Sequence, residues 1–376
     1  MDFNYYLPVN LMFGPGKINL LGMETKKYGT KALLVTGTHS TKASGLLDKA
    51  CRLLEQEGIE VVVFDQVNQN PTTTTASEGN AIAKREKCDV VIGLGGGSIM
   101  DCAKAIAFMY YNDGEIFDYI FGVKSGSQSL PLIQVPTTCG TGSEGNCFAV
   151  LTNPLNNDKK SLKNMSSVAK VSIIDPDLMK TMPKELIATV GFDALCHNME
   201  AYISKITQPL VEIQTLYSIR LIADSLVRLY EGKGNSEDYE KLTLASTIGG
   251  MSINMAGVTA AHGLEHPASG LKDIAHGKGL AALSPVVYEA TIDSAPEKFR
   301  QMAQLLGGKT ELDFVPVLNE MLGALNLKIT LGSLGLKKED VEWMTDNCLK
   351  VSAPSLSVHP KSFGRDEIME LYYKSI

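Results

Sequence analysis

The apolar pattern of this chain changes near residue 180, and this change constrains the fold more than any other feature. Before it, short apolar runs such as residues 31–36 and 59–64 alternate with stretches of helical spacing such as residues 41–57. After it, the spacing is almost entirely that of helices. Strands that alternate with helices predict a parallel sheet with helices on both faces.

We therefore expect an α/β domain over residues 1–180 and an all-α domain over residues 181–376. Proline-containing turns at Asp175-Pro176-Asp177 and Met182-Pro183 mark the boundary. The length of 376 residues also favours two domains, because single cores rarely grow beyond about 250–300 residues.

Composition excludes several classes of partner. The formal net charge of −7 argues against nucleic-acid binding, which needs a basic surface. The chain has no apolar run of about 18 residues, so we expect no membrane partner. The seven cysteines are scattered without C-x-x-C spacing, and residues 1–6 lack the features of a signal peptide. A cytoplasmic protein with reduced thiols is expected.

Two loops that follow predicted strands are rich in glycine and hydroxyl groups. Gly95-Gly96-Gly97-Ser98 follows the strand at residues 89–94 and opens a helix, an arrangement that lets backbone N–H groups approach a phosphate. Residues 136–144 follow the strand at residues 132–135. Both loops fall at the carboxyl edge of the predicted sheet, where open α/β folds bind ligands. Together they predict a dinucleotide or phosphorylated ligand, although each loop alone is also compatible with a packing turn.

Four of the six histidines lie between positions 197 and 276. Asp193 and His197 are four residues apart, which places both side chains on one helix face. His262 and His266 repeat this spacing, and His276 follows in a predicted loop. One such histidine alone would more often be a core residue, but the group predicts a single metal site. Imidazole and carboxylate ligands suit Fe(II), Zn(II), Ni(II) or Mn(II).

At these residues the chain resembles the iron-containing (group III) alcohol dehydrogenases, over nearly its whole length. The resemblance implies a Rossmann-like nicotinamide domain, an all-α C-terminal domain and a cleft between them, the architecture also found in dehydroquinate synthase. The matching segments are Phe13-Gly14-Pro15-Gly16, Asn70-Pro71-Thr72, the Gly96-Gly97-Ser98 loop with Asp101 and Lys104, Pro136 to Glu144, Asp175-Pro176, Gly191 to His197 and His262 to Gly277.

The resemblance also implies roles for individual residues. The implied metal ligands are Asp193, His197, His262 and His276, with Fe2+ as the metal and Zn2+ as an alternative. His266 matches a histidine near the nicotinamide, and we expect it to relay a proton or to position the substrate. Cofactor contacts are implied at Gly37, Asn70, Gly96, Gly97, Ser98, Asp101, Thr137, Thr138, Lys160 and Leu178.

The activity implied is hydride transfer between NAD(P)(H) and a small alcohol or aldehyde, in a homodimer or higher oligomer. Many relatives carry an aspartate where Gly37 stands, and that carboxylate would repel the 2′-phosphate of NADP(H). Since Thr38, Ser40 and Lys42 can accommodate the phosphate, we expect NADP(H) to be favoured over NAD(H). A glycerol dehydrogenase-like polyol oxidoreductase, a dehydroquinate synthase-like lyase and a non-catalytic metal- or nucleotide-binding protein are the alternatives.

Overall fold

Eight strands form a six-stranded parallel sheet and a separate two-stranded hairpin in the computed structural model, which describes residues 2–376. Met1, the first residue of the predicted first domain, lies outside the described residues. The strands are β1 (Asn10–Phe13), β2 (Lys31–Gly37), β3 (Glu60–Val67), β4 (Val90–Gly95), β5 (Leu132–Pro136), β6 (Phe148–Asn153), β7 (Asp158–Lys163) and β8 (Val171–Ile174). The parallel sheet has the order β1–β8–β5–β4–β2–β3, and β6 pairs with β7 in antiparallel register.

The strand order determines where a ligand can enter. The chain leaves β2 toward β3 at one edge and then returns to β4 on the other side of β2. Loops that follow β2 and β4 therefore diverge, and a crevice opens at their carboxyl ends. Gly37 ends β2 and Gly95 ends β4, so both glycine-containing turns border this crevice.

Helices cover the sheet in the first half of the chain and form the second half alone. The expected fold class, an α/β domain of Rossmann-like type followed by an all-α domain, is confirmed. The helices are α1 (Leu21–Thr25), α2 (Ser40–Ala43), α3 (Leu46–Glu55), α4 (Thr73–Glu86), α5 (Gly97–Met109), α6 (Ile116–Ile120), α7 (Lys184–Ile203), α8 (Pro209–Tyr230), α9 (Ser236–Ala256), α10 (Ala260–Lys272), α11 (His276–Glu289), α12 (Pro296–Leu305), α13 (Phe314–Ala324), α14 (Val341–Val351), α15 (Ala353–Ser357) and α16 (Arg365–Ser375).

Apolar side chains form a separate core on each face of the sheet and a larger core within the helical part. Helix α7 crosses the centre of that larger core and is buried along nearly all of its length. No helix among residues 2–376 combines the length and the apolar character that a bilayer-crossing segment requires.

Two local expectations are wrong. The polar composition of residues 153–164 predicts a loop, but these residues contain β7, because the charged sequence Asp158-Lys159-Lys160 pairs with β6. His276, expected in a loop, is the first residue of α11.

Candidate metal centre

Three side chains from three helices converge where α7, α10 and α11 meet. Asp193 lies in the buried middle of α7, His262 in the first turn of α10 and His276 at the start of α11. Oδ1 of Asp193 lies 3.5 Å from Nε2 of His262 and 3.6 Å from Nε2 of His276. The ligand atoms of these three residues all lie within 4.8 Å of one another.

His197 lies beside this cluster, one helical turn after Asp193. Its Nδ1 is 3.6 Å from Oδ1 of Asp193 and 3.3 Å from the carbonyl oxygen of Gly140. Its ring stacks on that of His262, with the centroids 4.5 Å apart. The structure therefore brings together three of the four predicted ligands and places the ring of the fourth against them.

Close backbone packing makes this convergence possible. A side chain at Gly277 would lie 2.2 Å from the carbonyl oxygen of Thr189. Because position 277 is glycine, the start of α11 lies directly on α7, and His276 reaches Asp193.

The polar atoms of the cluster fit a cation. Oδ1 of Asp193 and Nε2 of His262 are buried and have no hydrogen-bond partner within the described chain. Such atoms carry a desolvation cost that protein structures rarely leave uncompensated. A divalent ion held between them would satisfy both, and the mixed imidazole and carboxylate donor set suits Fe(II) or Zn(II).

A further carboxylate lies beside Nδ1 of each of the two histidines in the cluster, His262 and His276. Oε1 of Glu200 lies 2.6 Å from Nδ1 of His262, and Oε2 of Glu265 lies 2.5 Å from Nδ1 of His276. Burial lowers the pKa of His262, but the charges of Glu200 and Asp193 outweigh it and raise the pKa to about 10. Burial opposes ionisation of Asp193, yet the neighbouring histidines hold the pKa of its carboxyl far below the ordinary value.

His266 borders the same space without joining the cluster. Its ring centroid lies 6.0 Å from that of His276 and 6.4 Å from that of His262. Burial, together with the charge of Lys159, lowers the pKa of His266 well below its ordinary value. The ring is therefore neutral near pH 7.

Two cavities meet at the cluster. One, of about 420 Å³, extends from His276 and Asp193 to the crevice at the ends of β2 and β4. The other, of about 300 Å³, contains His266 and is walled by hairpin β6–β7 and the helical part. Residues that line both cavities are Asn70, Gly97, Ser98, Thr141 and His276. We call the first the cofactor-sized cleft and the second the inner cavity.

Most of the residues with implied cofactor roles border this cleft. Those that line it are Gly37, Asn70, Gly96, Gly97, Ser98, Thr137 and Thr138. Asp101 and Lys160 line the inner cavity instead, and Leu178 lines neither and packs on the sheet core. Nζ of Lys160 donates to the carbonyl of Val351 at 2.6 Å.

The phosphate site expected near Gly37 has one cation fewer than the sequence suggested. Gly37, Thr38 and Ser40 line the cleft, but Lys42 forms an ion pair with Asp65. That pairing leaves neutral backbone and hydroxyl groups as the main lining of this end of the cleft.

Three buried charged residues at the site were not predicted from the sequence, namely Glu200, Glu265 and Lys159. Glu200 and Glu265 each follow a histidine of the motif by three residues, so helical spacing was the available signal. Lys159 had none, because its strand was not predicted.

Comparisons with known proteins agree with this geometry. The sequence model described as iron-containing alcohol dehydrogenase matches residues 8–176, and the one for the C-terminal part of the Fe-containing alcohol dehydrogenase family matches residues 187–376. The chain is 36% identical to 1,3-propanediol dehydrogenase of Klebsiella pneumoniae, covering 93% of this chain and 92% of the relative. It is 29% identical to NADH-dependent butanol dehydrogenase A of Clostridium acetobutylicum, covering 100% of both chains.

The solved structures extend the likeness to three dimensions. The archaeal Red Sea brine pool alcohol dehydrogenase ADH/D1 superposes with a TM-score of 0.96 at 34% identity, covering 100% of this chain and 99% of that one. The fold and the site define a metal-dependent alcohol dehydrogenase. The chain belongs to the iron-containing alcohol dehydrogenase family, as the sequence motifs indicated.

Proposed function

We propose that this protein transfers a hydride between a nicotinamide dinucleotide and a small alcohol or aldehyde at a divalent metal, Fe2+ or Zn2+. The proposed ligands are Asp193, His197, His262 and His276. The observation that carries the proposal is that the cofactor-sized cleft and the inner cavity meet at His276. A dinucleotide in one and a substrate in the other would bring their reacting ends together beside the ligand cluster.

A bound divalent ion supplies Lewis acidity, which lowers the pKa of an alcohol or polarises an aldehyde carbonyl. The chain contributes orientation and a site with little water. Apolar side chains of Ile253, Val258 and Val351 wall the inner cavity and exclude solvent from the reacting groups.

The test is elemental analysis of anaerobically purified protein, combined with cofactor-dependent turnover before and after chelation. We expect about one divalent ion per chain, loss of turnover on chelation and recovery with Fe2+ or Zn2+. Metal-free protein that retains full turnover would overturn the proposal.

His266 is proposed to accept and return the substrate proton. Its position in the inner cavity and its depressed pKa, caused by burial, support this role, because a neutral imidazole can accept a proton near pH 7. The variant His266→Ala should lower turnover and change the pH–rate profile. An unchanged profile would remove His266 from the proton path.

The substrate is proposed to be a short or medium aliphatic alcohol or aldehyde. The volume of about 300 Å³ and the partly apolar lining of the inner cavity support this size. The likeness to a relative named 1,3-propanediol dehydrogenase points in the same direction.

The cofactor is proposed to be NADP(H) in preference to NAD(H), with contacts that include Asp101, Lys160 and Leu178 besides the cleft residues. Gly37 supports this preference, because a carboxylate at that position would repel a 2′-phosphate. The Clostridium relative is named for NADH, so the ratio of kcat/KM for the two cofactors is the direct test. Gly37→Asp should shift that ratio toward NADH, and a wild-type ratio that favours NADH would reject the preference.

We also propose a domain boundary near residue 180, a homodimer or higher oligomer, and a cytoplasmic location. The exposed apolar residues Leu210, Ile213 and Tyr217, spaced along α8, support self-association. All seven cysteines are free, which suits a reducing compartment. Light scattering of the purified protein tests the oligomeric state.

A further inference from the structure

Glu265 is a fully buried carboxylate that lies behind His276 and outside the ligand cluster. Its Oε2 lies 2.5 Å from Nδ1 of His276, and its Oε1 accepts a hydrogen bond from the Ser269 hydroxyl. A side chain at Gly279 would lie 2.8 Å from the Glu265 side chain, so glycine at that position leaves room for this carboxylate.

This contact determines which nitrogen of His276 can serve as a ligand. A carboxylate beside Nδ1 favours the tautomer that carries the proton on Nδ1, which leaves the lone pair on Nε2. Nε2 is the atom that lies 3.6 Å from Oδ1 of Asp193. Glu265 therefore fixes both the tautomer and the ring orientation that direct His276 toward the cluster.

The same carboxylate also contacts a lysine that lines the inner cavity. Nζ of Lys159, on β7, lies 3.7 Å from Oε2 of Glu265, and only 4% of the Lys159 surface is exposed. Within the described chain Glu265 is the one carboxylate within salt-bridge distance of this ammonium. Because a buried charge is costly without a partner, the pair holds β7 against α10.

Lys159 also contacts Asn70, which lines both cavities. Nζ of Lys159 donates to Oδ1 of Asn70 at 3.1 Å. The Asn70 amide in turn donates to Oδ1 of Asp273 at 2.7 Å and to the carbonyl of Ile274 at 3.2 Å. Ile274 precedes His276 by two residues. The contacts therefore run from His276 through Glu265, Lys159 and Asn70 back to the segment before His276, and Asn70 connects them to the cofactor-sized cleft.

We propose that Glu265 is a positioning residue that fixes His276 as a metal ligand and, through Lys159 and Asn70, couples cofactor binding to metal binding. This inference rests on the proposed metal site. Coupling of this kind is reciprocal, so a cofactor that tightens the metal by some factor is itself tightened by the metal to the same extent.

Titration of the metal-free full-length protein with Co2+ tests the proposal, with the visible absorption of the bound ion as the readout. Each titration is repeated with saturating NADP+ and with saturating NAD+. Glu265→Gln should weaken Co2+ binding about 10- to 100-fold, the usual effect of losing a carboxylate behind a ligating histidine. In the wild type the preferred cofactor should tighten Co2+ binding, and in Glu265→Gln this tightening should disappear.

Lys159→Gln separates the two parts of the proposal, and it also serves if Glu265→Gln does not fold. It keeps the Glu265 contact to His276, so Co2+ affinity should stay within about threefold of wild type while the effect of the cofactor is lost. The matched control is Asp158→Asn, which removes a buried carboxylate from the same strand. Asp158 accepts from Asn347 and Lys350 of α14 and does not contact His276, so its loss should change neither quantity.

The outcomes distinguish this inference from the proposed function. A wild-type protein that binds no Co2+ would reject the metal site itself. Stoichiometric Co2+ binding in the wild type, with the same affinity in Glu265→Gln and Asp158→Asn, would reject Glu265 as a positioning residue. A full cofactor effect in Lys159→Gln would reject the coupling.

Discussion

Two buried groups of charged residues border the inner cavity, and they differ in how completely their polar atoms are hydrogen-bonded. In the first, the lysine group, Nζ of Lys104 donates to Ser143 Oγ at 2.7 Å, to Asn146 Oδ1 at 2.9 Å and to the Phe148 carbonyl at 2.7 Å. Asp101 accepts from the Ser143 hydroxyl at 2.6 Å and from the backbone N–H of Val150 at 3.0 Å. The second group is the ligand cluster of Asp193, His262 and His276. There, Oδ1 of Asp193 and Nε2 of His262 are buried without a hydrogen-bond partner.

This difference indicates what each group does. An ammonium has three protons to donate, and Lys104 finds an acceptor for each of them, so the lysine group needs nothing from outside the chain. The ligand cluster is complete only with a cation. The first group should therefore affect stability with little effect on metal content, and the second should affect metal content above all.

The largest effect is expected for Asp193→Asn. The amide lacks the negative charge that binds a divalent ion, so we expect less than a tenth of the wild-type metal content. Turnover should fall at least about 1,000-fold, which corresponds to about 4 kcal/mol. The amide keeps the shape of the carboxylate but removes one of the two charges that hold the proton on His262, so the metal-free variant should melt somewhat below metal-free wild type. Asp193→Asn protein with full metal content and activity would contradict the role of the ligand cluster.

The next largest effect is expected for Lys104→Met. Removal of the ammonium leaves the buried Asp101 carboxylate without the cation that Ser143 bridges to it, and an uncompensated buried charge costs about 3–5 kcal/mol. Urea unfolding followed by circular dichroism measures this loss. The double variant with Asp101→Asn should recover part of it, whereas metal content should stay at the wild-type level in both. A Lys104→Met protein as stable as wild type would show that the buried ammonium contributes nothing to stability.

Sequence patterns predicted the helices well where local signals were complete. Helix α4 begins after Thr72, whose hydroxyl accepts from the N–H of Thr75, and α9 begins with a capping box between Asn235 and Asp238. The spacing of residues 73–86 and 236–256 predicts both helices with the residue bounds that the structure has. Periodicity and capping are local properties, so the sequence contains them.

Features that depend on distant partners were not predictable in the same way. Strand β7 carries charge where a strand pattern would need apolar residues, and it forms because β6 and the helical part surround it. The i,i+4 spacing predicted a metal site in this region and the family resemblance implied its ligands, but the carboxylates of Glu200 and Glu265 acquire their roles only through tertiary contacts. Spacing also did not distinguish His197, which lies beside the cluster, from His276, which lies within it.

A pH series tests the ligand cluster in a second way, with a smaller expected effect. His262 has a pKa near 10 because Glu200 and Asp193 outweigh the effect of burial, so below that pH a metal must displace its proton. Metal affinity should rise about tenfold, or 1.4 kcal/mol, for each pH unit between pH 6 and pH 8.

The stability of the metal-free protein should change in the opposite direction. Since the folded pKa of His262 is raised above its ordinary value of 6.5, the contribution of His262 to stability is complete below pH 6.5 and is lost as pH rises toward 10. Competition titrations with a chelator at pH 6, 7 and 8 measure the affinity. An affinity independent of pH would show that His262 carries no proton to displace.

The smallest effect is expected for Ser143→Ala. This variant tests whether Lys104 and Asp101 keep enough hydrogen bonds when one bridging hydroxyl is removed. Its hydroxyl bridges the group by accepting from Lys104 and donating to Asp101. After its removal Lys104 keeps two acceptors and Asp101 keeps the N–H of Val150, so neither charge is left without a partner. The cost should be about 1–2 kcal/mol in urea unfolding, with unchanged metal content. If Ser143→Ala is as destabilising as Lys104→Met, the group depends on the complete bridge, and the attraction between the two charges alone does not hold it together.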